Sequence, residues 1–323
     1  SGVSYPLCGV GRVNLFALFA EAARSLVNPS GRVGQILPSG IVSDDSTKLC
    51  FQSVIERRQL VSFFDFENRE KIFPAIDSRI KFGILILAGQ RPPRTEAEFV
   101  FFATRVEHLK DPDRRFTLTS EEIALLNPVT RNCPLFRSQR DADITKATYL
   151  RAPVLTASGW NLQLRRLLNS ADDSGNFLGE PGKERLPLYE GKFFHHYEHR
   201  WATDSQQDDR SFSEEERADP ALFVRPRHWY PAQDARDRFG RAWKHSWVLA
   251  WRDICRSTDE RTFISTFIPS LAVPHTAKVV FSRADQDVAL LYLNANFCSF
   301  AFDFVARQKV GGTHMSAFIV EQD

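Results

Sequence analysis

Apolar and polar residues in the first hundred positions follow the periods of helices and strands. Residues 13–27 are apolar on nearly all helical faces and predict a buried helix that ends at Asn28-Pro29. A strand at 32–37 is followed by a helix that begins near residue 44. Further apolar runs predict strands at 60–66, 80–88 and 99–106. This order predicts the second half of an open α/β sheet, whose first half would precede residue 1.

The pattern is more mixed beyond this region. Residues 111–150 are expected to be helical and rich in loops, and turn-forming residues between 170 and 187 predict a linker. The remaining apolar runs predict strands at 247–254, 262–267 and 278–281 and one long helix at 288–305. We therefore expect an α/β domain at 1–110, a connector at 111–185 and an α+β domain at 186–323.

Composition narrows the class of protein. The chain has 323 residues, of which 43% are hydrophobic and 25% charged, as in an ordinary globular protein. No apolar run reaches the roughly 20 residues of a membrane span and no signal peptide opens the sequence, so we expect a cytoplasmic protein without a membrane partner. The five cysteines lack C-x-x-C spacing, which favours reduced thiols. Because Met315 is the single methionine, we expect an excised piece of a longer protein.

Charge is distributed unevenly, although the net charge is only +2. Residues 204–219 are acidic and poor in apolar side chains, which is typical of a mobile loop. Basic residues dominate from 225 to 256, where tryptophan and tyrosine are also frequent. Arg225 and Arg227 open this stretch and are candidates for contact with a polyanion.

Polar residues concentrate again near the end of the chain. The helix predicted at 288–305 is followed by cations, glycines and other donors, namely Arg307, Lys309, Gly311, Gly312, Thr313 and His314. Glycine permits close approach to a backbone, and its N–H group suits a phosphate oxygen, so one interpretation is a nucleic-acid contact. The other is a helix C-terminus, where cations and glycine are common for structural reasons.

The segment KFFHHYEHRW, from Lys192 to Trp201, combines imidazoles with cations. Lys192, His195, Tyr197 and Arg200 form a polar strip that is available to phosphates or bases. The histidine spacing lacks the matching carboxylate of a zinc motif, so we expect no metal. Partly buried imidazoles bonded to the backbone are the alternative interpretation.

Phe73-Pro74 lies between two predicted core strands, where an aromatic ring held by proline could stack on a flat ligand. Packing against Phe64 or Phe66 is the alternative. Asn127-Pro128-Val129-Thr130 begins like the Asn-Pro-Pro-aromatic motif that holds a flipped adenine. Because the second proline and the aromatic are missing, we interpret it as a turn.

Four separated runs of the sequence occur in a specific order. They are RVNLFALFAEAARSLVNPSGRVGQILPSGIVSDD, FFDFENREKIFPAIDSRIKFGILILAG, PLYEGKFFHHYEHRWAT and FDFVARQKVGGTHMSAFIVEQ. Together they resemble the C-terminal half of gamma-type adenine-specific DNA methyltransferases of restriction-modification and phage-defence systems. The resemblance covers nearly the whole chain apart from the acidic insert and parts of 210–245. It implies the end of a Rossmann-like methyltransferase sheet joined to a target-recognition domain similar to the TaqI type.

The resemblance also implies functional groups and partners. The family carries S-adenosylmethionine on an N-terminal glycine motif, and neither that motif nor the Asn-Pro-Pro-aromatic motif is in this chain. We therefore expect no catalytic residue, no bound cofactor and no activity in the chain alone. Phe73, supported by Pro74, matches the aromatic that stacks on the extruded base. Expected DNA contacts are Lys192, His195, Arg200, Arg225, Arg227, Arg307, Lys309, Gly311, Gly312, Thr313 and His314.

These expectations define a fragment of a DNA adenine methyltransferase that supplies DNA recognition and a base-stacking wall. Its partners would be double-stranded DNA and the missing N-terminal catalytic half, with an endonuclease domain or subunit as a further candidate. The alternative is a standalone DNA-binding specificity subunit that docks on a separate catalytic or nuclease chain.

Overall fold

A computed structural model describes residues 4–9, 13–91, 93–127, 133–152, 154–155, 158–204, 209–282 and 287–321. The chain folds into two compact units, the first extending to residue 153 and the second from Val154 to Glu321. The division falls within the predicted connector. Pro128, Val129 and Thr130 of the rejected adenine motif, and residues 205–208 of the acidic insert, lie outside the described residues.

The first unit contains helices and strands close to those predicted from the sequence. Its helices are α1 (Leu15–Leu26), α2 (Gly40–Ser43), α3 (Lys48–Glu56), α4 (Ser120–Leu126) and α5 (Gln139–Tyr149). Its strands are β1 (Arg32–Pro38), β2 (Leu60–Glu67), β3 (Lys81–Ala88), β4 (Glu96–Ala103) and β5 (Phe116–Thr119). Thr119 caps α4, because its hydroxyl accepts the Glu122 N–H at 3.1 Å and completes a capping box.

These strands form one mixed sheet in the order β1-β3-β2-β4-β5. Strand β3 is antiparallel to β1 and β2, whereas β4 is parallel to β2 and antiparallel to β5. Because β1, β2 and β4 therefore run in one direction, their carboxyl ends lie at the same edge of the sheet. The mixed sheet with its helices confirms the α/β class, and the Rossmann-like assignment stays a prediction.

The core of the first unit is largely aromatic. The rings of Phe99, Phe101 and Phe116 lie 5.5 to 6.1 Å apart, which is within the range of favourable aromatic pairs. Phe63 is fully buried, and a Cβ at Gly83 would lie 2.2 Å from its ring. Glycine at this position of β3 therefore makes room for the Phe63 ring.

Helix α1 forms as predicted, but the prediction that it is buried is wrong. Its buried residues are Ala17, Ala20 and Glu21. Its exposed apolar residues are Leu15, Phe19 and Leu26. No described residue covers that face, and β1 pairs only with β3 among the described strands. One side of the sheet therefore ends in an unpaired backbone edge beside exposed apolar side chains.

The second unit contains shorter elements. Its helices are α6 (Ser170–Asp173), α7 (Glu214–Ala218), α8 (Ala232–Phe239), α9 (Asp287–Phe297), α10 (Phe300–Arg307) and α11 (Ala317–Val320). Its strands are β6 (Gln163–Arg165), β7 (Arg185–Pro187), β8 (Ala202–Asp204), β9 (Asp209–Ser211), β10 (Trp229–Pro231), β11 (Trp247–Arg252), β12 (Ser265–Pro269) and β13 (Ala277–Phe281). An antiparallel sheet in the order β12-β11-β13-β6 is its centre, and β7 with β10 and β8 with β9 form two small ribbons.

This central sheet separates two hydrophobic cores. Val248 and Ala250 of β11 contribute to the core that contains Tyr230, whereas Leu249 and Trp251 contribute to the core formed with α9 and α10. Successive side chains of a strand point to opposite faces, so the apolar run of β11 serves both cores. The run is continuous because both faces of the strand are covered.

The single long helix predicted at 288–305 is wrong. The structure has two helices, α9 and α10, bent by 69° at the break between them. The break follows from Ser299, whose hydroxyl accepts the Phe302 N–H at 3.1 Å and caps α10. No single helix among the described residues is long and apolar enough to cross a membrane, and only this bent pair passes that test jointly.

Candidate functional site

The turn after β2 presents Phe73 at the sheet edge where the carboxyl ends of β1, β2 and β4 lie. The backbone reverses at this point, because the Ile76 N–H donates to the Phe73 carbonyl at 3.1 Å. Phe73 is 39% exposed, and Pro74 and Ile76 are exposed beside it. The Phe73 ring packs edge to face with Phe82, with centroids 4.9 Å apart and planes at 69°.

Phe73 packs on Phe82 and not directly on Phe64 or Phe66, and its stacking on a ligand stays a prediction. Phe82, which supports Phe73, stacks on the core residue Phe66 at 5.2 Å, so Phe73 reaches the predicted aromatic core through one intermediate ring. The remaining surface of the Phe73 ring faces solvent. A ring that is supported on one side and open on the other suits stacking on a planar ligand.

A buried carboxylate shapes the same edge of the sheet. Asp65 accepts hydrogen bonds from the Ser39 hydroxyl and, at 3.1 Å, from the Phe102 N–H. Phe102 has a φ of 57°, which an L side chain rarely adopts, and Asp65 stabilises this strained backbone. Burial raises the pKa of the Asp65 carboxyl. The cations of Lys81 and Arg137 lie 4.9 and 4.2 Å from the centroid of the Phe102 ring.

In the second unit, Asp253 holds the end of the predicted DNA-contacting segment. Its carbonyl accepts the Met315 N–H at 2.6 Å. Its buried carboxylate lies 2.6 Å from Nδ1 of His314 and 2.7 Å from Nζ of Lys278. The His314 side chain is nevertheless 58% exposed. Asp253 therefore fixes one nitrogen of an imidazole whose ring is largely open to solvent.

Gly312 of this segment lies where the fold has room for a side chain. A Cβ built at Gly312 would meet no atom within 4 Å, and Gly312 and Thr313 are exposed. The backbone at Gly312 therefore has room for a partner that approaches closely. The phosphate role of these residues stays a prediction.

Arg307 is turned inward. Its guanidinium donates to three carbonyls of the loop 257–260 at 2.8 to 3.1 Å and lies 2.9 Å from the carboxylate of Asp303. Lys309 is half-buried one half-turn later. The helix-terminus interpretation correctly placed Arg307 in the last turn of α10, although the carbonyls that it binds belong to another segment. Its predicted DNA contact would compete with these internal bonds.

Two members of the strip at 192–201 are also engaged within the protein. Lys192 lies 3.2 Å from the carboxylate of Asp204 and 3.8 Å from that of Glu190. Arg200 donates to three carbonyls of the segment 217–222 at 2.6 to 2.9 Å. The bonds of Arg200 join the segment 217–222 to the segment 192–201. The ion pairs of Lys192 reduce the positive charge that the segment 192–201 presents.

His195 is half-buried, as the structural alternative expects, although the hydrogen bond that it forms comes from its backbone and not from its ring. Its ring lies 4.5 Å from that of Trp201, and its backbone N–H donates to the Glu198 carbonyl at 2.7 Å. Burial, with the nearby Arg252 and His196, lowers the pKa of His195 to about 4. The imidazole is therefore neutral at pH 7 and supplies no charge for a phosphate.

Arg225 and Arg227 differ from the other predicted cations. Both are exposed, and neither side chain forms an ion pair with a described residue. They alternate with buried Pro226 and half-buried Val224 along an extended segment, and Phe223 is 74% exposed. Phe223, Arg225 and Arg227 are thus the exposed members of this segment, and we refer to them as the aromatic and cationic strip.

Within the described ranges, no group of three or more His, Cys, Asp or Glu side chains is arranged to hold a metal ion. The nearest imidazole and thiol are those of His196 and Cys298, whose Nδ1 and Sγ atoms lie 3.1 Å apart. Burial lowers the pKa of His196 and raises that of Cys298, so both groups are held neutral. This pairing does not favour an activated nucleophile.

Three solved structures with a detectable likeness come from restriction-modification enzymes. The type IIG restriction endonuclease BpuSI has 14% identity and a TM-score of 0.34, with 98% of this chain and 42% of that chain covered. A nuclease-deletion mutant of the Type ISP enzyme LlaGI, in complex with a DNA substrate mimic, has 11% identity and a TM-score of 0.41, covering 96% and 30%. The ATP-dependent Type ISP enzyme LlaBIII, bound to DNA, has 8% identity and a TM-score of 0.36, covering 97% and 26%.

The chain therefore spans less than half the length of each of these enzymes. TM-scores below 0.5 do not establish a common fold. No protein-family model and no curated protein matches the sequence.

Sequence reasoning missed three residues that organise these surfaces. Phe223 could have been found, because it alternates with Arg225 and Arg227 in FVRPR. Asn68 and Asp253 left no signal, since a polar residue at the end of a strand is equally typical of an exposed loop. Asp253 bonds to His314, which only the fold brings near, whereas Asn68 bonds to the backbone of the turn that follows it, whose conformation the sequence does not specify.

Proposed function

We propose that this chain is the DNA-recognising part of an adenine-specific DNA methyltransferase. In the full-length protein, S-adenosylmethionine would donate a methyl group to the exocyclic amine of adenine in a specific duplex sequence. This chain would contribute the wall on which the extruded base stacks and the residues that hold the DNA. The cofactor and the Asn-Pro-Pro-aromatic motif would be supplied by an N-terminal half.

The observation that carries this proposal is the presentation of Phe73. An enzyme that modifies a base within a duplex must rotate it out, which costs a few kcal/mol. Stacking on an aromatic side chain contributes about 1–3 kcal/mol per base, which is enough to offset much of that cost. Phe73 is exposed at the edge where three strands end, which is where α/β sheets bind ligands. Its surroundings therefore support the role implied by the family resemblance.

The second unit supports DNA binding through a small number of exposed groups. The strip of Phe223, Arg225 and Arg227 offers an exposed ring and two exposed guanidinium groups, and the segment of Gly312 and His314 offers an open backbone and an imidazole. Guanidinium groups suit phosphate oxygens and guanine edges. We propose that these residues, rather than Lys192, Arg200 and Arg307, provide most of the DNA contact.

The open edge of the first unit supports a partner along β1. An unpaired strand offers a row of N–H and C=O groups, and the exposed residues of α1 offer apolar surface beside it. A catalytic half that adds strands to β1 would cover both features. A separate catalytic or nuclease chain would cover them equally well, so this edge also favours the second candidate, a standalone specificity subunit.

Methyl transfer by the full-length protein tests the proposal directly. We expect labelled methyl groups from S-adenosylmethionine to appear on adenine in duplex DNA, and Phe73→Ala to lower kcat. The chain by itself should show no S-adenosylmethionine binding by calorimetry. Binding at micromolar concentrations would contradict the division of roles. An upstream coding region without Asn-Pro-Pro-aromatic codons would favour the standalone subunit.

A further inference from the structure

Asn68 lies beneath the Phe73 turn and is fully buried. Its Nδ2 group donates to the carbonyls of Phe73 and Ile76, each at 3.0 Å, and to that of Asp77 at 3.4 Å. Its Oδ1 atom accepts the Phe73 N–H at 2.9 Å. All of these partners are backbone groups of the turn, and two of them belong to Phe73 itself.

The amide of asparagine suits this position in a way that similar side chains do not. One end must donate to several carbonyls while the other accepts an N–H. Aspartate would keep the acceptor but turn a second oxygen toward the carbonyls of Phe73, Ile76 and Asp77. Alanine would remove the acceptor of the Phe73 N–H and one donor from each of the three carbonyls, which would keep only their bonds from the Ile76 N–H, Lys71 and the Ile80 N–H. The residue type is therefore set by the backbone of the turn.

Other contacts fix the turn in the same conformation. The Asn68 N–H donates to the Ile80 carbonyl at 3.1 Å and closes the base of the loop. Lys71, with a φ of 56°, directs its Nζ atom to the Ile76 carbonyl at 3.0 Å. Pro74 restricts the backbone directly after Phe73. The exposed ring is thus held by a network that needs no ligand to form.

We infer that Asn68 is the positioning residue of the base-stacking wall, holding Phe73 outward before DNA binds. The inference rests on the proposed function, because it assumes that Phe73 receives a base. A preformed wall avoids the loss of conformational freedom that ordering the turn on binding would require. Asn68 itself does not touch the base.

A fluorescent base provides the test. The chain is added at saturation to a 30-base-pair duplex in which 2-aminopurine faces an abasic site, so that the base is already unpaired. Stacking on Phe73 should change the 2-aminopurine fluorescence, and Phe73→Ala should abolish that change. Asn68→Asp should reduce its amplitude about threefold or more, since the ring loses its fixed position. Duplex affinity, measured by anisotropy, should stay within about twofold, because the phosphate contacts lie elsewhere.

Matched variants separate the outcomes. Asn294 is also a buried asparagine, and it accepts from the Ser265 hydroxyl at 2.9 Å in the second unit, so Asn294→Ala controls for the general loss of a buried amide. If Asn68→Asp does not fold, Pro74→Gly loosens the same exposed turn and takes its place. An unchanged signal in the Asn68 or Pro74 variant, with loss in Phe73→Ala, would overturn the inference alone. An unchanged signal in Phe73→Ala would overturn the proposed wall as well.

Discussion

Arg307 and Arg225 look alike in the sequence but are used differently by the fold. Each lies in the second unit beside aromatic residues, and each was expected to contact DNA. The guanidinium of Arg307 satisfies three carbonyls and a buried carboxylate, whereas that of Arg225 is exposed. A cation therefore becomes available to a partner only when no orphaned carbonyl or buried acid of its own chain lies within reach.

The same comparison holds between Arg200 and Arg227. The three carbonyls that Arg200 binds belong to the last turn of α7 and to the turn that follows it, where carbonyls lack partners within the helix. Arg227 is exposed and follows the buried Pro226. The backbone N–H of the nearby Arg225 already donates to the Thr203 hydroxyl. The difference separates cations that are bonded within the protein from exposed cations, and the following changes test it.

Removal of Arg307 should have the largest effect on stability. Arg307→Ala leaves the Asp303 carboxylate, only 6% exposed, with the Phe263 N–H at 2.8 Å and with Arg261, a weaker ion pair at 3.6 Å, and frees three carbonyls. We expect the free energy of unfolding to fall by roughly 3 kcal/mol, as for other broken buried pairs. Urea denaturation measures the change, and Arg225→Ala is the matched control. A decrease in the free energy of unfolding of less than about 0.5 kcal/mol would show that Arg307 contributes no more than an exposed surface cation.

A pH change should have a smaller effect, through His195. Its pKa of about 4 in the folded protein lies below the 6.5 of an unperturbed histidine, so the unfolded chain binds the proton more readily between these values. Stability is therefore complete above pH 6.5 and decreases as the pH falls toward 4. Urea midpoints at pH 7.5 and 5.0 should differ less in His195→Gln than in the unaltered chain. Equal differences would show that His195 is not the group responsible.

The secondary structure was predictable where the periodicity of apolar residues is strong. It was less predictable where a side-chain hydroxyl caps a helix and so sets its end. Strands β2 and β3 were both visible in the sequence. The break at Ser299 was not, because the apolar period continues through it and only the cap geometry ends one helix and starts another. The burial of α1 was overestimated, since none of the residues that the structure describes covers its exposed apolar side chains.

The candidate site was predictable only in part, for a related reason. Phe73 could be placed on an exposed turn, because the following proline and the polar connection are local features. Whether Lys192 or Arg307 is free depends on carboxylates and carbonyls that approach from distant parts of the sequence, such as Asp204 and the loop 257–260. Residue type alone does not carry that information.

Replacement of the two exposed arginines should affect DNA binding without affecting stability. Arg225→Ala and Arg227→Ala should each flatten the dependence of log affinity on log salt by about one unit. The free energy of unfolding should change by less than about 0.5 kcal/mol. Fluorescence anisotropy with a duplex at several salt concentrations measures the slopes, with Phe223→Ala as a variant of the same strip without a charge change. Unchanged slopes in both arginine variants would remove this strip from the interface.

A methyl group at Gly312 should produce the smallest change in the folded chain. Gly312→Ala adds a Cβ in open space at a position without positive φ, so the fold should be unaffected or stabilised by about 0.5 kcal/mol. If the Gly312 backbone approaches a phosphate, the same methyl group should weaken duplex binding severalfold, since it would lie between the two. Gly240→Ala is the opposite case, because its φ of 82° makes any side chain unfavourable while its site has no predicted DNA contact. Gly312→Ala should therefore lower duplex affinity in anisotropy and not stability in urea, whereas Gly240→Ala should lower stability and not duplex affinity. A duplex affinity of Gly312→Ala equal to that of the unaltered chain would exclude a close backbone contact at Gly312.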